Sequence, residues 1–124
     1  MKVLQILPQL NIGGVERGTL DLSKALIQKG HESFVISGGG ILVDELIQSG
    51  AKHYEIPVHI KSLRTLSLAK NLSKTISFID PDIVHVRSRM PAWVNFRAFK
   101  MLQKKPLLIS TFHGLYSFPI YSQV

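Results

Sequence analysis

The chain has 124 residues, of which 45% are hydrophobic and 19% charged, and this composition indicates one globular domain with a sizeable core. Its 15 basic and 8 acidic residues give a formal net charge of +7, which favours an anionic partner such as a phosphate, a nucleic acid or an anionic membrane surface. It has no cysteine, which excludes disulfides and thiolate metal sites and fits a cytosolic protein.

Polar residues interrupt the apolar segment near the N-terminus, so no signal peptide is expected. No stretch approaches the roughly 20 apolar residues that a membrane-spanning helix needs. Any contact with a membrane is therefore expected to be peripheral.

The hydrophobic pattern predicts strands that alternate with helices along the chain. The predicted elements are a strand at Val3–Leu7, a helix at Glu16–Lys29, a strand at Ser33–Ser37, a helix at Leu42–Gln48, a strand at His53–Ile56, a helix at Arg64–Ile79, a strand at Ile83–Val86, a helix at Pro91–Gln103 and a strand at Leu107–Thr111. Their alternation predicts a parallel sheet with right-handed crossovers, covered on both faces. We therefore predict an α/β fold, a Rossmann-like, doubly wound and mostly parallel sheet, in a single domain over residues 1–124.

A loop with two adjacent glycines joins the first predicted strand to the first predicted helix. Gly13 and Gly14 let backbone N–H groups approach an anion, and the N–H groups of the first helical turn have no partner within the helix. The helix dipole also favours negative charge at that end. The segment therefore predicts a phosphate-binding loop, with a plain tight turn as the alternative.

Two common nucleotide-binding sites are not expected at these glycines. Gly13, Gly14 and Gly18 do not have the G-x-G-x-x-G spacing, and no Walker A lysine follows them. The second predicted strand ends at Ser37–Gly40, without the carboxylate that would hold a ribose. NAD binding and a P-loop are therefore disfavoured. The glycines at 38–40 are interpreted as a turn between strand and helix rather than as a ligand cradle.

Two further loops follow predicted strands at the carboxyl edge of the sheet, where ligands of open α/β sheets bind. Arg87, Ser88 and Arg89 precede a helix start, so two guanidiniums can clamp an anionic group, with a solvated basic loop as the alternative. His113 has the best position of the five histidines to meet a hydroxyl or a phosphate. Gly114 allows the backbone to approach a ligand closely.

The remaining candidate side chains have simpler interpretations. Trp93, the only tryptophan, can line a sugar or lipid pocket, with a packing role as the alternative. His85 lies inside the fourth predicted strand and is interpreted as structural. His31, His53 and His59 lack metal-ligand spacing and are interpreted as surface or turn residues, so no metal site is predicted.

Four segments together carry a family resemblance: Leu7–Arg17, Gly30–Glu32, Asp82–His85 and Thr111–Gly114. Their order and spacing over nearly the whole chain resemble the N-terminal domain of glycosyltransferase family 4. Within that family, Gly13–Arg17 and the segment Arg87–Trp93 are most similar to bacterial enzymes of lipopolysaccharide and surface-polysaccharide assembly.

The resemblance implies a GT-B fold, in which two Rossmann-like domains enclose a cleft, and this chain matches the N-terminal, acceptor-side half. Such enzymes move a sugar from a nucleotide-diphosphate sugar to an acceptor hydroxyl, with retention of anomeric configuration and without a metal or other cofactor. By the same resemblance, Gly13 and Gly14 approach the donor diphosphate, and His113 lies beside the transferred sugar as the catalytic residue. The residues assigned to the acceptor are Glu16, Arg17, Arg87, Ser88, Arg89, Trp93 and Gly114.

One departure from the family concerns its C-terminal, donor-binding domain. The paired-glutamate motif and the basic diphosphate clamp of the family belong to that domain, which these 124 residues do not supply. We therefore expect the chain alone to be inactive, as an excised domain, a truncated gene product or half of a split enzyme whose donor domain is a separate chain.

The expected partners follow from the resemblance and the positive charge. They are a nucleotide-sugar donor and a glycan or lipid-linked acceptor, in the cytoplasm or peripherally at the anionic inner face of the cytoplasmic membrane. A non-catalytic binding module is the alternative function. A Rossmann-type nucleotide or nucleic-acid binder is disfavoured, because a ribose carboxylate, a Walker lysine and an aromatic–basic RNA pattern are all missing.

Overall fold

The computed structural model describes residues 1–57, 65–87, 98 and 100–111. Its elements, in chain order, are β1 (Lys2–Ile6), α1 (Gly14–Gln28), β2 (Glu32–Ser37), α2 (Val43–Gln48), β3 (Lys52–Glu55), α3 (Thr65–Ile79), β4 (Ile83–Arg87) and β5 (Leu107–Thr111). The five predicted strands and the first three predicted helices are present. The predicted helix at Pro91–Gln103 lies mostly outside the described residues, although Ala98 and Lys100 are helical.

The five strands form one parallel sheet in the order β3–β2–β1–β4–β5. The strand order reverses between β1 and β4, which are neighbours with Gln5 opposite His85. The chain therefore has the Rossmann-like α/β fold that its sequence predicts. In such a sheet, ligands bind outside the carboxyl ends of the strands, in the crevice at this reversal.

Each face of the sheet has its own hydrophobic core. On one face α3 packs on the strands, and the buried side chains include Leu4 and Ile6 of β1 with Leu72 and Ile76 of α3. On the opposite face α1 and α2 cover the strands, with a core of Leu7, Leu10, Leu20, Val35, Leu46 and Ala51. Because successive side chains of a strand point to opposite faces, Gln5 lies on the α1 side.

The end of α1 is set by a glycine, directly after the predicted helix at Glu16–Lys29. Gly30 has a φ of +86°, its N–H donates to the Ile27 carbonyl (3.0 Å), and the His31 N–H donates to the Leu26 carbonyl (2.9 Å). These two bonds form a Schellman motif, which satisfies the last carbonyls of the helix and turns the chain toward β2.

Candidate functional site

Two loops at the carboxyl edge of the sheet are bonded to each other. Residues 8–12 lead from β1 toward α1, and residues 38–42 lead from β2 toward α2. Three backbone hydrogen bonds join them: Gly38 N–H to Pro8 O (2.7 Å), Leu10 N–H to Gly39 O (2.8 Å) and Leu42 N–H to Leu10 O (2.9 Å). The contact between β1 and β2 thus continues beyond the strands, and we call these two segments the paired loops.

Gly40 is a position at which the paired loops approach each other closely. Its φ is +147°, and a Cβ placed there would lie 2.3 Å from the carbonyl oxygen of Leu10. A side chain at Gly40 would push the loops apart, because backbone atoms cannot give way as the end of a flexible side chain can. This packing agrees with the interpretation of the glycines at 38–40 as a turn.

The two glycines of the predicted phosphate loop begin α1. Gly13 is the N-cap, and the first helical bond runs from Arg17 N–H to the Gly13 carbonyl (2.9 Å), so the earlier N–H groups have no partner within the helix. A Cβ on Gly14 would have nothing within 4 Å, whereas a Cβ on Gly13 would lie 2.6 Å from Glu16 Oε1. The Glu16 carboxylate therefore rests beside Gly13, where it stabilises the positive end of the helix dipole.

Arg17, which the sequence assigns to the acceptor, is paired with two carboxylates. Its Nη2 lies 3.0 Å from Glu45 Oε2, and its Nε lies 3.6 Å from Asp21 Oδ1. Lys24 Nζ lies 3.0 Å from the same Glu45 oxygen. Hydrogen bonds from Lys24 and Arg17 lower the pKa of Glu45, and the bond to Glu45 raises the pKa of Arg17. The charge of Arg17 is thus balanced within α1 and α2, at an exposed surface.

Arg87, the last residue of β4, is held by a buried amide. Its Nε donates to Gln5 Oε1 of the neighbouring strand at 2.7 Å. Gln5 is completely buried, and its Nε2 donates to the Thr19 carbonyl and to Ser23 Oγ, both at 3.2 Å. Since the Thr19 carbonyl can only accept, Oε1 of Gln5 is directed to Arg87. Ser23 Oγ is bonded in turn to Ser33 Oγ (2.7 Å), and we call these five residues the Gln5 network.

The guanidinium of Arg87 is partly buried beside α1. Its Nη1 lies 3.5 Å from the position that a Cβ on Gly18 would take, so the guanidinium packs along α1 at this residue. Burial lowers the pKa of Arg87 from its usual value, but an arginine remains charged in a protein. All 8 acidic residues of the sequence lie within the described ranges, and none of them forms an ion pair with Arg87.

His53 does not lie in a turn, one of the two alternatives predicted for it, but is a half-buried residue of an edge strand. His53 lies in β3, and its Nε2 is 2.6 Å from Ser37 Oγ of β2. Ser37 is completely buried and also accepts the N–H of Gly39 (3.1 Å). Burial lowers the pKa of His53, an effect that the nearby Glu55 carboxylate opposes. His53 therefore supports the paired loops from the β3 side.

The structure brings part of the predicted site together. Gly13, Gly14, Glu16 and Arg17 lie in the first turns of α1, and Arg87 reaches the same helix at Gly18. The predicted residues outside the described part of the chain are Ser88, Arg89, Trp93, His113 and Gly114.

Sequence reasoning missed the role of Gln5, although a signal for it exists. Gln5 is the one polar residue inside the apolar run Val3–Leu7. An amide in the middle of a buried strand needs hydrogen-bond partners, because burying it without them is unfavourable. Its presence there indicates a buried polar network, but not which residues complete it.

Other features of the described residues lie elsewhere or are absent. A groove of about 500 Å³ lies between the end of α3 and residues 101–106, at the amino end of the sheet and thus opposite the crevice. Within residues 1–57, 65–87, 98 and 100–111, no three His, Asp or Glu side chains are grouped as metal ligands would be. In the same ranges, no helix combines the length and apolar character of a membrane span.

Comparisons with known proteins agree with this fold. The family model described as Glycosyltransferase Family 4 matches residues 12–123. The crystal structure of a glycosyltransferase from Rickettsia africae ESF-5 is similar to 96% of this chain, with a TM-score of 0.79 and 40% sequence identity. This chain spans 31% of the length of that protein. No match was found among curated proteins.

Proposed function

This chain belongs to glycosyltransferase family 4, and we propose that it is the acceptor-side domain of a retaining enzyme of bacterial cell-envelope polysaccharide synthesis. The enzyme would move a sugar from a nucleotide-diphosphate sugar to a glycan or lipid-linked acceptor. The observation that carries the proposal is the Arg87 guanidinium beside the reversal between β1 and β4, because ligands of open α/β sheets bind in that crevice. The donor-binding domain is proposed to lie on further polypeptide, either continuous with this chain or separate.

Gly13 and Gly14 are proposed to face the donor diphosphate. The first-turn N–H groups of α1 suit a phosphate oxygen, and the open space at Gly14 leaves them accessible. The Glu16 carboxylate beside Gly13 would repel a diphosphate, so we expect it to turn away when the donor binds. A carboxylate accepts hydrogen bonds from sugar hydroxyls, which is the acceptor role proposed for Glu16.

In the proposed reaction, an acceptor oxygen bonds to the anomeric carbon of the sugar while the bond from that carbon to the diphosphate breaks. The proton of the acceptor hydroxyl passes to the departing diphosphate oxygen, and nearby N–H groups and cations stabilise the negative charge that grows on the diphosphate. His113 is proposed as the catalytic residue. It lies two positions after Thr111, which is opposite Arg87 in the sheet register. Ser88, Arg89, Trp93 and Gly114 are proposed to contact the acceptor, and no metal or other cofactor is proposed.

Two exposed isoleucines on the paired loops support an acceptor with a lipid part. Ile12 and Ile41 are 81% and 64% exposed, and the Ile41 N–H donates to Oδ1 of Asn11, the neighbour of Ile12 (3.4 Å). Apolar tips at the carboxyl edge, on a chain of net charge +7, suit peripheral contact with an anionic membrane. We therefore propose that the protein acts at the cytoplasmic face of the membrane.

The test is a transfer assay with the polypeptide that carries the donor domain, whether it continues after Val124 or is a separate chain. Radiolabelled nucleotide sugars serve as donors and membrane lipids of the source cell as acceptors. His113→Ala is expected to reduce turnover about 100-fold without unfolding the protein. His31→Ala, a matched change at the opposite end of the sheet, should leave turnover unchanged.

Two outcomes would contradict this proposal in different ways. Unchanged turnover of His113→Ala would remove its catalytic role. Binding of the acceptor lipids without transfer from any donor would instead favour the non-catalytic binding module.

A further inference from the structure

We infer that the acceptor carries a negatively charged group, a phosphate or a carboxylate, that Arg87 receives, and that Gln5 is the positioning residue that directs the guanidinium toward it. The identity of this ligand as the acceptor rests on the proposed function. The anion site itself rests on contacts and charges of the described residues.

No side chain of this chain neutralises the charge of Arg87. The residues outside the described ranges contain no Asp or Glu. Among the described carboxylates, Asp21 and Glu45 pair with Arg17, and Asp80 pairs with Lys104. The others also form no ion pair with Arg87. No Asp or Glu side chain of this chain therefore competes with a ligand anion for Arg87.

The two Nη atoms of the Arg87 guanidinium can bind an anion. Nε is used by Gln5, which leaves four N–H groups on the two Nη atoms. No acceptor among the described residues is bonded to them. These N–H groups form the planar fork that binds a phosphate or carboxylate through two parallel hydrogen bonds. Partial burial strengthens such a bond, because less water competes for it.

The amide of Gln5 is held in one orientation by partners other than Arg87. Its two partners on the α1 side, the Thr19 carbonyl and Ser23 Oγ, fix the amide plane inside the protein. The remaining oxygen then fixes Nε of Arg87, and with it the plane of the guanidinium. The guanidinium also packs against α1 at Gly18. Gln5 thus touches no ligand and acts through Arg87.

The experiment is an NMR titration of the ¹⁵N-labelled chain, read at the Nε–Hε signal of Arg87, which is assigned by its loss in Arg87→Gln. The probes are glycerol 3-phosphate, glucuronate and the neutral methyl glucoside. At least one charged probe should shift the signal saturably, and the neutral sugar should not. Arg87→Gln should weaken binding, followed at backbone signals, by about tenfold or more, because charge-assisted hydrogen bonds are lost.

Two further variants separate position from charge. Lys24→Gln also removes one positive charge, from α1, and should leave the affinity unchanged, because the charge of Lys24 is already paired with Glu45 and the residue has no proposed ligand contact. Gln5→Met keeps the charge of Arg87 and should shift its Nε–Hε signal before any probe is added, and then weaken binding. A merely structural role of Gln5 would change the stability but not this signal or the affinity.

Several results would overturn the inference: no saturable shift with either charged probe, equal losses in Arg87→Gln and Lys24→Gln, or equal binding of the neutral sugar. Binding of glycerol 3-phosphate alone supports a lipid phosphate, and binding of glucuronate alone supports a sugar acid. If neither anion binds but the transfer assay succeeds, the charged acceptor is wrong and the proposed function stands. If an anion binds but no transfer occurs, the assignment of the anion to an acceptor is wrong.

Discussion

The carboxyl edge of the sheet has two halves that are built differently. On the β2–β3 side, hydrogen bonds join the paired loops, His53 is bonded to Ser37, and carboxylates pair with Arg17. The polar and charged groups named here therefore have their partners within the chain. On the β1–β4 side, Gln5 holds the guanidinium of Arg87 by a hydrogen bond, yet the charge of Arg87 has no carboxylate partner. The first half is thus a self-contained frame, and the second leaves a charge available to a ligand.

Arg17 and Arg87 differ in solvent exposure, and therefore in how strongly each can interact with an anion. Arg17 meets its carboxylates at an exposed surface, where water and salt weaken ion pairs and little stability is gained. Arg87 is partly buried, where electrostatic interactions are stronger and an unpaired charge is less favourable. A ligand anion therefore gains more from Arg87 than from Arg17. The following variants test each half in turn.

The largest loss of stability is expected from Gly40→Ala, which disrupts the contact between the paired loops. The new Cβ would lie 2.3 Å from the Leu10 carbonyl oxygen, at a φ of +147° that L-residues rarely adopt. Backbone strain and overlap together should lower the free energy of unfolding by about 3 kcal/mol or more. Urea unfolding followed by circular dichroism measures this loss as a lower midpoint.

Gly14→Ala is the matched control for that variant. A Cβ on Gly14 meets nothing within 4 Å, and alanine favours a helix over glycine by about 1 kcal/mol. The control should therefore unfold at the same or a slightly higher urea concentration. If Gly40→Ala behaves like Gly14→Ala, the paired loops are not a close-packed frame.

The second effect, in order of size, concerns the Gln5 network. Methionine has a volume similar to that of glutamine, but in Gln5→Met the Nε of Arg87 and the carbonyl of Thr19 lose their hydrogen bonds to residue 5. We expect the free energy of unfolding to fall by about 2 kcal/mol, the usual range for buried groups that lose a hydrogen bond. Urea unfolding again measures the change.

A double variant makes this prediction specific to the contact. Arg87→Met alone also leaves Gln5 Oε1 without a donor, whereas the double change Gln5→Met with Arg87→Met removes both partners. The double variant should therefore lose less stability than the sum of the single variants. Additive losses would mean that the 2.7 Å bond between the two residues contributes no coupling.

The fold was predictable because its signals are local. The apolar runs of the strands alternate with helical spacing, and Gly30 marks the end of α1 from its position alone. These features depend on neighbours in the sequence, and the strand order then follows from the few arrangements that parallel crossovers allow. The predicted elements and the observed ones therefore agree closely, apart from small shifts at their ends.

The site was less predictable because its contacts join distant residues. Arg87 and Gln5 are 82 positions apart, so their bond depends on which strands become neighbours. His53 and Ser37 face the same side only once the register of β2 and β3 is set, with Val35 opposite His53. Sequence reasoning placed Arg87 at the edge from its position after a strand, but it could not show that Arg17 is neutralised and Arg87 is not.

The smallest expected effect concerns His53, which ties β3 to the frame. Burial lowers its pKa below the ordinary value of 6.5, so the unfolded chain binds a proton more readily than the folded one. The stability contribution of His53 is therefore constant above the unfolded pKa and falls as the pH drops from there toward the folded pKa. Between about pH 8 and about pH 5.5, the free energy of unfolding, measured with urea, should fall less for His53→Gln than for the unchanged chain.

Glu55→Gln reports the same titration in the opposite direction. The Glu55 carboxylate favours the protonated imidazole and so opposes the effect of burial on the pKa of His53. Removing that charge should lower the pKa of His53 further. The chain with Glu55→Gln should therefore lose more stability on acidification than the unchanged chain. This additional loss should vanish in the double variant with His53→Gln. If the unchanged chain and His53→Gln lose the same stability, the imidazole takes up its proton equally in both states. His53 would then be a neighbour of the frame rather than a part of it.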